Sequence, residues 1–265
     1  MTPLILGIIS ICCYIISTAL LIKDAVKNES GTLSIILAWL AVCLHFSYTF
    51  SIFQQLENFN FSLFNTASLI SSLVAFLLLL ATLRNPVEKL GLIIFPLATL
   101  TLLAALLYPE KAHAIHISSW QMGVHILSSI IAFSLLNIAA LQALLLAIQE
   151  RQLRKRPLKR LIQTLPPLQT MESLLFQMIG TGILFLTVSL ASGFIFIEDL
   201  FAQHLVHKTI LSIVAWITFT CLLIGKMKYG WRGQTAVKWT LAGFILLMLA
   251  YFGSKLVLEL VLQRV

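Results

Sequence analysis

Charge is what this chain has least of: only 11% of its 265 residues are Asp, Glu, Lys or Arg, while 59% are hydrophobic. Soluble domains carry about a quarter charged residues, so a water-soluble fold is excluded and an integral membrane protein is expected. Cysteine is also scarce. Cys12, Cys13, Cys43 and Cys221 have no CxxC spacing, which excludes a thiol redox pair or covalent haem attachment and leaves buried, inert thiols as the expectation. The chain has no HExxH zinc motif, no GxSxG elbow and no phosphate-binding glycine loop. Its adjacent acids Glu198 and Asp199 fall in a loop, so no paired intramembrane carboxylate exists either. Hydrolase and ATPase chemistry therefore lack residues to carry them, and a non-enzymatic protein is expected.

What the chain does have is long apolar runs. Stretches of about 20 residues suffice to cross a ~30 Å hydrocarbon core as helix. Eight are expected: 3–22, 33–53, 65–83, 90–107, 122–148, 174–197, 209–225 and 239–262. They lack the alternation of barrel strands and are twice as long, so the predicted fold class is all-α, a polytopic bundle of eight transmembrane helices in one domain over 1–265. The first run lacks a basic leader and a small-x-small cleavage site, and it is read as a span rather than a signal peptide. The polar stretch from Gln149 continues the fifth helix as far as Pro157, and Pro166-Pro167 ends any helical piece before the sixth span. No internal repeat, broken helix or buried charge pair suggests a transporter.

The few charges are segregated. Fourteen of the eighteen basic residues fall in the odd-numbered connections, from Lys23 and Lys27 through Arg151–Arg160 to Lys226, Lys228, Arg232 and Lys238. The positive-inside rule then places those connections in the cytoplasm and both termini outside, in the periplasm. Basic loops beside anionic membrane lipid account for the net charge of +8 without any nucleic acid. All six histidines fall toward the opposite face: His45, His113, His116, His125, His204 and His207. His125, near the outer start of the fifth span, is the sharpest candidate metal ligand; a histidine hydrogen-bonded across helices is the competing reading. His113 and His116, like His204 and His207, are spaced to share a helical face or are solvated loop residues. His45 reads as a packed polar residue. Trp120, Phe194, Phe196, Phe201 and Trp216 are expected at the outer ends of spans, as an interfacial belt or as an apolar wall against a flat ligand.

Three segments carry a resemblance. Gly230-Trp231-Arg232-Gly233 precedes a span ending Ala250-Tyr251-Phe252-Gly253-Ser254; Pro166-Pro167-Leu168 with Met171-Glu172 leads into Phe176, Gly180 and Ser192-Gly193; and Val124-His125-Ile126 opens a helix. In that order and topology the chain resembles the cytochrome c assembly family, in a short branch of bacterial inner-membrane proteins, most clearly from Asn65 to Ser254. Independently of the resemblance, the glycines suit a tight turn, Trp231 an interfacial anchor and Arg232 a cytoplasmic loop.

The resemblance implies haem held at an outer face and cytochrome c assembly components as partners. His125 stands at one outer family histidine. The tryptophan-rich region aligns with 192–216 but retains only Trp216, and the second outer histidine and the histidine preceding GWRG have no counterparts. His204 or His207 is the expected substitute ligand, with Trp120 and Trp216 as haem-facing aromatics. The alternative is a regulatory or accessory subunit of another membrane complex, such as a regulator of haem synthesis, holding no cofactor. Oligomeric state is not encoded in any feature of the sequence.

Overall fold

In the computed structural model, which describes residues 3–27, 31–56, 59–60, 62–108, 114–115, 120–153, 167–196 and 206–253, every predicted span is a helix. They are α1 (Pro3–Lys27), α2 (Thr32–Leu56), α3 (Leu63–Thr82), α4 (Gly91–Leu107), α5 (Trp120–Leu153), α6 (Leu168–Phe196), α7 (Val206–Tyr229) and α8 (Gln234–Met248). Helix α8 runs on through a π-helical turn, Leu249–Gly253. The chain is an all-α polytopic membrane protein. Its contacts divide it into two units, one built on α1–α4 and one on α5–α8.

In the first unit α1 packs on α2 and α4, and α3 packs on both of those, closing a ring of four helices. Between helices in lipid there is little hydrophobic drive, so close packing and interhelical hydrogen bonds hold them together. The buried face of α1 is built accordingly, with Gly7, Ser10, Tyr14, Ser17, Leu21 and Ala25 recurring every three or four residues. Ser10 Oγ donates to the Ala41 carbonyl at 2.8 Å and Ser17 Oγ to the Ser34 carbonyl at 2.7 Å. One turn past Ala41 on α2, His45 is fully buried, with Nδ1 3.4 Å from the Tyr14 hydroxyl and Nε2 2.8 Å from Ser68 Oγ. Both ring nitrogens are occupied, as a packed polar histidine requires. A two-residue antiparallel pairing, β1 (Phe59–Asn60) with β2 (Ala114–Ile115), joins the connections after α2 and α4.

The second unit repeats the ring: α5 on α6, α6 on α7, α7 on α8 and α8 back on α5. The α5–α6 seam is the most extensive, because α5 presents small buried residues such as Ala132, Ala139 and Ala143, and α6 presents Gly182. A Cβ on Gly182 would lie 2.8 Å from the Leu136 side chain, so glycine sets this approach.

Several expected boundaries move. Helix α6 begins at Leu168, two turns before the expected 174, because Pro167 supplies a carbonyl that accepts the Met171 N–H at 3.1 Å and no proline follows. Helix α7 is longer than 209–225 at both ends, and α8 starts at Gln234 rather than 239. At 34 residues, α5 is about 50 Å long and outruns the hydrocarbon. Its expected extension beyond Leu153, and the end of the last span at 254–262, lie outside the described residues. Only Cys13 is buried; Cys12, Cys43 and Cys221 are exposed, against the expectation of buried thiols.

Candidate functional site

His125 lies five residues into α5, where that helix meets the last two turns of α6. Its Nδ1 is 2.8 Å from the Ser189 carbonyl oxygen. A carbonyl only accepts, so Nδ1 carries the proton and, in the neutral ring, Nε2 keeps the lone pair. Ser192 Oγ sits 3.3 Å from Nδ1 and donates to the same carbonyl at 2.9 Å. Gly193 lies against the ring: a Cβ there would be 3.1 Å from Cε1 and 3.3 Å from Nδ1. Ser189, Ser192 and Gly193 share one face of α6 by their three- and four-residue spacing, so a single helix face cradles the imidazole.

The backbone beneath is tied as firmly. Ser129 Oγ donates to the His125 carbonyl at 2.6 Å and pairs with Ser189 Oγ at 2.5 Å. With that proton spent, Ser189 is the donor in the serine pair, and every hydroxyl hydrogen has a place. Tyr251, in the π-turn of α8, packs its ring against Phe133 with centroids 4.8 Å apart. Among the described residues, His125 Nε2 has no hydrogen-bond partner, and the ring is half-buried.

Trp120, the first residue of α5, is 72% exposed and continues the same seam outward, its ring 6.2 Å from that of Phe196. Trp216 does not join it. Its Nε1 donates to Thr187 Oγ1 at 2.8 Å, ten residues or about 15 Å into α7, rather than at the expected outer end. Thr187 and Ser189 are two residues apart and so point to nearly opposite faces of α6; Trp216 and His125 lie on different sides of that helix. His207, the second residue of α7, is exposed and makes no polar or ring contact among the described residues. His204, His113 and His116 lie outside the described residues. Among those described, no three His, Cys, Asp or Glu side chains gather into a metal cluster.

The opposite end of this unit holds a second constellation. Gly230 and Gly233 take positive φ values of 66° and 53°, which glycine alone adopts without penalty. They turn α7 back into α8. Glu172, in the first turns of α6, is buried with its carboxylate across that turn: Oε1 accepts the Gly233 N–H at 3.0 Å and Oε2 accepts from Arg232 Nε at 3.1 Å. Glu150, at the end of α5, accepts from Gln234 Nε2 at 2.7 Å. Two carboxylates thus face the N-terminus of α8, the positive end of its dipole. The sequence signal was available, because Glu172 is the one charged residue within 168–196, and a lone acid in a span requires a partner.

Comparison with known proteins agrees with this architecture. The cytochrome c assembly protein family matches residues 29–262. The chain is 32% identical over 262 residues to the inner membrane protein YpjD of Escherichia coli K12, covering 97% of this chain and 99% of that one. It is 25% identical over 146 residues, 54% of this chain and 39% of the relative, to the cytochrome c biogenesis protein CcsA of Chlamydomonas reinhardtii. No solved structure matches. With eight spans and relatives of this kind, the chain is a multi-pass inner-membrane protein that belongs to the cytochrome c assembly family.

Proposed function

We propose that this protein binds haem through His125 and handles it at the outer face of the membrane in support of cytochrome c biogenesis, without itself catalysing a reaction. The observation that carries the reading is the bond from His125 Nδ1 to the Ser189 carbonyl. Ligating histidines almost always donate their other N–H to such an acceptor, which fixes the tautomer and raises ligand basicity. Nε2 is left as the coordinating nitrogen. At the same end of α5 and α6 the exposed rings of Trp120, Phe194 and Phe196 supply apolar surface of the kind a porphyrin face needs. A bound haem supplies a redox-active iron whose potential responds to its axial ligand; the chain's own part is to fix the imidazole and shield one face.

A second ligand comes, in this reading, from His207 or His204. Support for an outward-facing site is the charge pattern: the α5 start, α6 end and α7 start all belong to connections poor in Lys and Arg. The test is an absorption spectrum of gently purified protein, oxidised and reduced, before and after added haem. A saturable Soret band, altered in the His204→Ala/His207→Ala double variant, is expected. Absence of both native and reconstituted haem would overturn the reading in favour of a cofactor-free accessory or regulatory subunit, marked by a stable co-purifying partner.

Gly193→Ala probes the cradle without removing a ligand. The added methyl must push the ring a few tenths of an ångström from the Ser189 carbonyl, and loss of such an outer-shell bond costs roughly tenfold in affinity. Haem titration in detergent should show that weakening; unchanged affinity would mean the Ser189 anchor contributes nothing.

A further inference from the structure

We infer that the turn between α7 and α8 is a headgroup site for anionic phospholipid, independent of any haem. Residues 226–238 hold Lys226, Lys228, Arg232 and Lys238 and no acid. Arg232 is the centre of the site. Its Nε is pinned to the buried Glu172 carboxylate, yet the side chain is 59% exposed, and its two terminal nitrogens have no partner among the described residues. A guanidinium held at Nε presents those nitrogens as a fixed fork, the geometry that matches phosphate oxygens.

The surroundings are equally fixed. Trp231 lies over Gly225, where any Cβ would collide with the indole. It also stacks toward Trp239, with centroids 5.3 Å apart, and toward Tyr229 at 6.3 Å. Such aromatic groups settle at headgroup depth, which puts the Arg232 fork level with lipid phosphates. Lys226 is held with its ammonium 4.7 Å above the Phe176 ring, and the exposed Lys228 has no partner among the described residues. Preorganised donors bind more tightly because their ordering cost is already met. Every phospholipid offers a phosphate, but the flanking lysines favour one with net negative charge. A lipid rather than a soluble phosphate fits the site because the rings beside the fork seat it in the interface.

The full chain in nanodiscs of equal phosphatidylglycerol and phosphatidylcholine, released and analysed by native mass spectrometry, reads lipid retention directly. Phosphatidylglycerol should be retained about tenfold over phosphatidylcholine, falling to near parity in Lys226→Gln/Lys228→Gln, since each basic residue near the surface contributes a several-fold factor. Arg232→Lys keeps a charge for Glu172 while removing the fork, and should lower the retention of both lipids several-fold with the preference kept. Equal retention of the two lipids by the unaltered protein, a preference unchanged in Lys226→Gln/Lys228→Gln, or retention unchanged in Arg232→Lys, overturns the inference. Displacement of the lipid by inorganic phosphate at matched concentration overturns the lipid as occupant.

Discussion

Replacing Glu172 by alanine should lower the unfolding midpoint of the detergent-solubilised protein by roughly 5–10 °C. The carboxylate accepts two hydrogen bonds, from the Gly233 N–H and Arg232 Nε, and bonds to a charged group contribute about 1.5–3 kcal/mol each. The half from Arg232 must be discounted because that side chain is mostly exposed and screened, leaving about 2–4 kcal/mol in all. In a chain of this size about 1 kcal/mol moves the midpoint by roughly 2–4 °C. Glu172→Gln retains an acceptor for the Gly233 N–H and should lose about half as much. A midpoint unchanged in Glu172→Ala would show that the α7–α8 turn is held by its glycines and aromatic packing instead. Arg232 and Glu172 are 60 residues apart in sequence, so a double-variant cycle between them should give a clear coupling energy.

The second large effect is at the other end of the same unit. His125→Ala removes the imidazole whose Nδ1 is committed to Ser189. Disturbing a partner of a metal ligand already costs about 10–100-fold in affinity, so deleting the ligand should cost at least about 100-fold. The Soret band of the purified variant should fall to background and added haem should no longer titrate to saturation. His45→Ala gives the contrast. That histidine is closed off by Tyr14 and Ser68, and its loss should destabilise the first unit without changing any haem spectrum. Equal spectral loss in both variants would point to misfolding rather than to a ligand.

Much of this was legible beforehand, because membrane spans are written in composition and length. All eight helices form where apolar runs exceed the bilayer thickness. The boundaries depart from hydropathy where polar residues continue a helix past the hydrocarbon, as at the start of α6, since hydropathy reports the solvent and not the backbone. His125 stood out as an ionisable residue in a span. Its serine cradle did not, because Ser129, Ser189, Ser192 and Gly193 are ordinary residues that acquire meaning only when α5 and α6 face each other. Trp216 departs from its expected place for a related reason: aromatic residues favour the interface, but its indole N–H finds a partner in Thr187, nine residues before the end of α6. Glu172 stands in a segment that carries the family likeness, yet its role depends on Arg232 and Gly233 returning about 60 residues later.

The central claim is that His125 holds haem iron through Nε2. Resonance Raman spectroscopy of His125→Gly protein reconstituted with haem and imidazole, in natural-abundance and deuterated forms, tests it most directly. The account predicts that imidazole restores both the Soret band and an iron–nitrogen stretch, and that deuteration shifts that stretch. Haem that stays bound to His125→Gly without imidazole, with its spectrum unaltered, would contradict it.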